Sequence, residues 1–315
     1  MYYIFDDLKL STLEYIIYNN NVHSSIKFLM NWFCEKGIKQ GIFWSTLIYL
    51  TSSINDVLMK LLGERLSFIE ISFFRFLFSI IVVLIPMIIS RENLFKTQMH
   101  STHIARGILG AIALGLCCYS VNIIPLAENT TILFSESLFL LPLSAIFLKE
   151  KVSNRAILAT IIGFIGLLIM FKPKASNINI LAIVPTTAAF LFAVMDIMIK
   201  KMINNKENTL TMLFYFGLYT TIIAGIVVPR VWITPTSYEL ILIFLLGIGA
   251  NLIQLFIFLA YRATNASNMA STRYLELLFS ISFGFVFFNQ IPKLWDIAGA
   301  LFIILGTFIL SRDNK

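Results

Sequence analysis

From Gly41 onward the chain alternates between long apolar runs and short polar breaks, and this constrains its fold more than any single motif. Runs such as Ile71 to Ile89 and Ile157 to Phe171 each approach the roughly 20 residues that cross a bilayer core. Inside lipid every backbone N–H and C=O must be satisfied within its own segment, so such runs fold as helices. Charged residues make up 13% of the chain, too few to clothe a soluble domain of this size in polar surface. The expected fold is therefore an all-α membrane protein with several spans.

Breaks in hydropathy delimit ten expected transmembrane helices: Gly41 to Leu62, Phe68 to Ser90, His103 to Ile124, Leu126 to Leu148, Asn154 to Phe171, Ile178 to Ile199, Thr209 to Arg230, Tyr238 to Ala260, Ala266 to Phe288 and Leu294 to Leu310. Lys and Arg near the span ends set the orientation. An arrangement with both termini in the cytoplasm puts fourteen of them inside, among them Arg91, Lys149, Lys200 and Arg262, and six outside, among them Lys60, Arg65 and Arg230. Trp44, Trp232 and Trp295 fall near span ends, where interface anchors belong. The basic balance, +7, is spread between apolar segments and forms no stripe, so no nucleic-acid partner is expected.

Residues 1–39 form a mixed N-terminal extension. Asp6, Asp7 and Glu14 stand where a secretory signal would carry a basic start and an apolar centre. Ser24 to Lys36 is amphipathic and reads either as an interfacial helix or as a loose cytoplasmic extension, with Met30 as an alternative start. Cys34, Cys117 and Cys118 lack the spacing of a metal site, and neither a metal nor a cofactor is expected.

The two halves repeat. Ser53-Ile54-Asn55-Asp56-Val57-Leu58-Met59-Lys60 aligns with Ala193-Val194-Met195-Asp196-Ile197-Met198-Ile199-Lys200 at an offset of 140 residues. The same offset carries Glu136 onto Glu276 and Gly166 onto Gly306. Residues 40–172 then form one five-helix repeat and 173–315 the other. Because five is odd, the second enters the membrane from the opposite side, giving the inverted repeat found in many transporters.

An ionisable side chain inside a membrane segment costs about 2.5–3.5 kcal/mol on insertion scales, so each calls for a partner or a function. Glu136 and Glu276 lie mid-span and suit a shared central site that binds a cationic group or carries a proton; buried neutral carboxylic acids are the alternative. Asp56 with Lys60, and Asp196 with Lys200, are spaced i to i+4, so each pair shares a helix face. The lysines are candidate gates at opposite ends, or simply snorkel beside their acids. Arg75 and Arg273 could hold a substrate carboxylate or neutralise nearby acids. Asn55, Tyr119, Asn122, Tyr215, Asn251, Gln254 and Tyr274 complete the polar and aromatic candidates.

At these residues the chain resembles the EamA-like branch of the drug/metabolite transporter superfamily over residues 40–312. Within that branch it is similar to the S-adenosylmethionine transporters of obligate intracellular bacteria. The similarity is carried by Ser52-Ser53-Ile54-Asn55-Asp56-Val57 with Lys60, Phe73-Phe74-Arg75-Phe76, Asp196-Ile197 with Lys200-Lys201, Met212-Leu213-Phe214-Tyr215 and Arg273-Tyr274-Leu275-Glu276-Leu277. The resemblance implies a multi-pass inner-membrane protein that imports S-adenosylmethionine in exchange for S-adenosylhomocysteine; the sequence does not choose between monomer and dimer. Proton-coupled export of an amino acid or other small metabolite is the other transporter reading. An enzyme is not expected: no HExxH, nucleophile elbow, CxxC or phosphate loop occurs, and His23, His100 and His103 lie at or outside span ends.

Overall fold

The computed structural model describes residues 37–89, 95–123, 126–171, 180–289 and 291–312. The Ser24 to Lys36 stretch, Met30 and the side chain of Asn122 lie outside the described residues. The first half contains α1 (Ile38–Leu62), α2 (Phe68–Ile89), α3 (His100–Ile123), α4 (Leu126–Leu133), α5 (Glu136–Phe147) and α6 (Asn154–Phe171). The second contains α7 (Ile183–Asn204), α8 (Thr209–Val227), α9 (Ser237–Ala263), α10 (Ala266–Thr272), α11 (Leu275–Phe288) and α12 (Leu294–Ser311).

Several boundaries follow from local chemistry. Asn208 opens α8 by accepting from Leu210 N–H at 2.8 Å. Thr236 and Glu239 form a reciprocal capping box at the start of α9. Beside it, Arg65 in the α1–α2 connection donates from Nε to Glu239 Oε1 at 2.7 Å and from Nη2 to Glu239 Oε2 and the Thr234 carbonyl. That carboxylate pushes the Arg65 guanidinium above its usual range. The arginine is exposed, so the tether positions the connection more than it stabilises it.

The expected fourth and ninth spans are not uniform helices. In the first, Ser135 N–H bonds Ile132 O and Leu138 N–H bonds Ser135 O, an i to i−3 pattern that tightens the helix between α4 and α5. In the second, Glu276 N–H bonds Arg273 O and Leu277 N–H bonds Tyr274 O between α10 and α11. The tightened turns match between the halves to within a residue, and each sets a glutamate in the first turn of the helix that follows.

Six segments among the described residues are long and apolar enough to cross a membrane: Phe68–Ile89, Asn129–Phe147, Ile180–Asn204, Thr209–Arg230, Ser237–Ala263 and Leu294–Ser311. Helices α1 and α3 are longer than most but more polar. Their polar side chains, Ser45, Ser53 and Asn55 on one and His103, Arg106 and Ser120 on the other, are buried in the bundle.

The packing pairs the halves reciprocally. Helix α1 lies on α9 as α3 lies on α7, and α1 meets α11 as α7 meets α5. Helices α2 and α8, and α6 and α12, meet their own counterparts. In the α6–α12 seam, Gly166 packs on the Gly299 carbonyl, where an added Cβ would sit 2.8 Å from the oxygen, and Gly306 packs on the Ala159 carbonyl at 2.9 Å. Rising numbers on one helix meet falling numbers on the other, so the two run antiparallel at close range. Away from this seam α12 leaves Leu301, Ile304, Leu305 and Phe308 exposed.

Candidate functional site

Helix α1 presents Tyr49, Ser52 and Asp56 along one face, at the i, i+3 and i+7 spacing of a helical stripe. Facing it are Glu136 at the start of α5, Asp196 on α7, Tyr261 near the end of α9, and Arg273 and Glu276 around the turn between α10 and α11. The tightened turn thus delivers two charged groups three residues apart, between the small and polar helix α10 and the apolar helix α11.

At the centre Arg273 Nη2 lies 2.7 Å from Glu136 Oε2. The Glu136 side chain is 2% exposed and that of Arg273 31%, so the acid is sealed while its partner reaches solvent from inside the bundle. Ser52 Oγ donates to Glu276 Oε1 at 2.8 Å. The Asp196 carboxyl group faces Glu136, the Tyr261 hydroxyl, Arg273 and Arg106. Tyr49 stands beside Arg273, Glu276 and Thr272. On one flank Asp56 is exposed and faces Arg75 and Glu276. Arg75 also directs Nη1 to Met59 Sδ at 3.7 Å.

Three residues of this network, Tyr49, Tyr261 and Arg106, are absent from the sequence reading. Arg106 is 1% exposed, donates to Gln254 Oε1 at 2.7 Å and to Met212 O at 3.3 Å, and lies 4.3 Å from the Phe216 ring centroid. Its position three residues inside an expected span was the available signal, since an arginine at that depth needs a partner. The tyrosines gave none, because nothing in their spacing separates a site tyrosine from an interface anchor.

Other candidates lie elsewhere. Tyr215 donates to the Phe95 carbonyl at 2.8 Å and packs against His100, His103 and Tyr219. Tyr119 is exposed on α3. Asn55 joins α1 to α9 through the Leu246 carbonyl, and Asn251 joins α9 to α2 through Ser79 at 2.7 and 2.9 Å. Tyr274 is fully buried, with its ring stacked on Phe134 and its hydroxyl by Ser137. Asn55, Asn251 and Tyr274 thus fasten helices together around the network. Among the described residues no group of three or more His, Cys, Asp or Glu side chains is arranged to hold a metal.

The two ends of the network differ although their sequences correspond. Lys60 is exposed, as is Asp56 one turn before it. Lys200 is buried and donates to the Tyr261 carbonyl and, at 2.6 Å, to the Thr264 carbonyl. It thus satisfies carbonyls in the last turn of α9, where a cation also meets the negative end of the helix dipole. Gly37 N–H reaches Ala263 O at 2.9 Å, and Glu150 accepts from the first N–H groups of α10, Ala266 at 3.1 Å and Ser267 at 3.2 Å. The Lys200 end is closed by interlocking helix termini, whereas at the corresponding end of the first half Asp56 and Lys60 are exposed.

Chemically, the network offers carboxylates to a cation, a guanidinium to an anion and aromatic faces to a flat ring. A family model described as the EamA-like transporter family matches residues 39–172 and again residues 179–312. The chain is 38% identical over 276 residues to the S-adenosylmethionine uptake transporter of Rickettsia conorii, covering 87% of this chain and 94% of that protein. It is 27% identical over 285 residues to the pseudopaline exporter CntI of Pseudomonas aeruginosa, covering 88% and 98%. A solved crystal structure at 12% identity superposes with a TM-score of 0.73, covering 86% of this chain and 95% of that one, a likeness of fold alone.

Proposed function

The chain belongs to the EamA-like transporter family, and from that premise we propose that it imports S-adenosylmethionine across a bacterial inner membrane in exchange for S-adenosylhomocysteine. It is a multi-pass membrane transporter, so its site must bind, enclose and release a cargo without making or breaking bonds.

The observation that carries the reading is the Glu136–Arg273 pair with Asp196 and Glu276 around it, inside a chain so similar to a rickettsial S-adenosylmethionine uptake transporter. S-adenosylmethionine carries a sulfonium, an ammonium, a carboxylate and an adenine. The acids answer the two cations, Arg75 or Arg273 answers the carboxylate, and a tyrosine face answers the adenine.

In this reading ten helices span the membrane with both termini in the cytoplasm, so the Asp56 end faces outward and the Lys200 end faces the cytoplasm. Transport then alternates which of the two corresponding ends is locked. The decisive experiment is uptake of radiolabelled S-adenosylmethionine by cells expressing the chain, with and without internal S-adenosylhomocysteine. Saturable uptake, accelerated by the internal product, is expected; no uptake at all would overturn the reading.

Similarity to the pseudopaline exporter favours a second reading, proton-driven efflux of a metabolite. That reading predicts efflux driven by an inward proton gradient, with no S-adenosylmethionine uptake.

A further inference from the structure

Helix α10 has seven residues, and all of them are buried. It packs against α5, and acids from that side hold both of its ends. At its far end Arg273 meets Glu136, the first residue of α5, at 2.7 Å. At its start the Ala266 and Ser267 N–H groups donate to the two carboxylate oxygens of Glu150, just past the end of α5, at 3.1 and 3.2 Å. The two helices therefore run antiparallel and are joined twice. Helix α10 is a rod of about 10 Å between the charged network and the Lys200 end.

A helix's own N-cap side chain ordinarily meets the N–H that Ser267 gives to Glu150. Here the N-cap is Asn265, a strong capping residue, yet among the described residues it makes no cap hydrogen bond and its side chain is exposed. Glu150 has taken its place. Thr264 and Asn265 are extended and form a two-residue link to α9, so α10 can shift without unwinding that helix. The polar side chains of α10 turn back on the helix itself: Ser271 donates to Asn268 O at 3.0 Å and Thr272 to Met269 O at 2.9 Å. These bonds travel with the rod.

We infer that Glu150 and Asn265 are alternative caps of α10, and that cargo opens the Lys200 end by switching one for the other. While Glu136 holds Arg273, Glu150 holds the start of α10. When the cargo carboxylate draws Arg273 away from Glu136, the rod shifts, Glu150 lets go and Asn265 caps the helix instead. Release is then inexpensive, because the Ser267 N–H changes its acceptor and does not lose it. Glu150 touches no cargo; it is a positioning residue that acts on the site through α10. The inference rests on the S-adenosylmethionine reading, with Arg273 as the group that meets the cargo carboxylate. The Arg273 side chain is 31% exposed beside a Glu136 that is 2% exposed, so a cargo can reach the arginine from the open side of the pair.

Linkage supplies the test, since whatever favours release must tighten cargo binding by the factor with which cargo favours release. Ser267→Cys is placed in a chain whose Cys34, Cys117 and Cys118 are changed to alanine. Ser267 is 1% exposed and its hydroxyl makes no hydrogen bond among the described residues, so the cysteine breaks no contact and reacts with a maleimide when α10 is released. The full chain is used in detergent, where the reagent reaches both ends. Saturating S-adenosylmethionine should speed the reaction at least about fivefold. Glu150→Gln should speed it without cargo and tighten S-adenosylmethionine binding by a similar factor. Asn265→Ala breaks no side-chain cap of the held state and should do the reverse, slowing the reaction and weakening binding about fivefold. Glu136→Gln combined with Arg273→Met frees the far end of the rod and should speed the cargo-free reaction.

Weaker binding by Glu150→Gln, wild-type behaviour of Asn265→Ala, or an unchanged cargo-free rate in the Glu136→Gln, Arg273→Met chain would each overturn the inference. The last two leave Glu150 in place, so they decide the matter even where Glu150→Gln does not fold. A wild-type chain that binds no S-adenosylmethionine removes the substrate reading instead, while the cargo-free rates still decide whether Glu150 and Asn265 share the cap.

Discussion

Arg273 holds Glu136 at 2.7 Å across the bundle, while Glu276, three residues farther along the same turn, takes its hydrogen bond from Ser52 of α1. The turn between α10 and α11 therefore fastens two separate helices of the first half to one short stretch of the second. A movement of either repeat against the other has to pass through these two contacts.

The buried pair makes the first prediction. Glu136→Gln leaves Arg273 without its partner and should destabilise the protein by about 3–5 kcal/mol while abolishing uptake. Glu136→Gln combined with Arg273→Met removes both charges and should recover most of that stability without restoring transport. Thermal unfolding in detergent beside vesicle uptake separates the two effects; equal stability of single and double variants would contradict the pairing.

Two tyrosines named in different ways should behave differently. Tyr261→Phe removes the hydroxyl that faces Asp196 and is expected to lower uptake about tenfold. Tyr215→Phe removes only a bond to the Phe95 carbonyl, outside the charged network, and should leave the S-adenosylmethionine concentration for half-maximal uptake unchanged. Measured uptake curves for both variants decide the matter.

Lys200 closes one end through the Tyr261 and Thr264 carbonyls, so Lys200→Met should loosen that end. A cysteine placed at the buried Ser271 should then react with a membrane-impermeant maleimide from the cytoplasmic side about tenfold faster than with Lys200 present. Unchanged labelling would show that the closure does not depend on this ammonium.

The glycine seam between α6 and α12 leaves no room for larger side chains. Gly166→Leu and Gly306→Leu should each cost about 1–3 kcal/mol through overpacking against the facing carbonyl. Gly115, with nothing near its missing side chain, should accept alanine with no fall in melting temperature. A scan of melting temperatures across the three variants checks the contrast.

The i to i+4 spacing of Asp56 with Lys60 and of Asp196 with Lys200 put each acid on the same helix face as its lysine. The tertiary structure turns the acids toward arginines and carboxyl groups on other helices, and engages Lys200 with the end of α9. Spacing along one helix says which side chains share a face, and not which face a neighbouring helix covers. Arg106 shows the same limit: its depth was legible, whereas its partners Gln254 and Met212 are more than a hundred residues away.

By itself the sequence determined that this chain is a helical membrane protein built as two repeats, because apolar run length and a 140-residue echo are properties of the linear chain facing lipid. It also named Glu136, Glu276, Asp56, Asp196, Arg75 and Arg273, because ionisable groups are costly wherever lipid surrounds them. Only the tertiary structure decided that Glu136 meets Arg273, that Tyr49, Tyr261 and Arg106 join them, and that Lys200 is buried against the end of α9 while its counterpart Lys60 is exposed. Ion pairing needs side chains from helices far apart in the chain at one point in space. Two nearly equivalent ends cannot be told apart until packing has chosen which of them is closed.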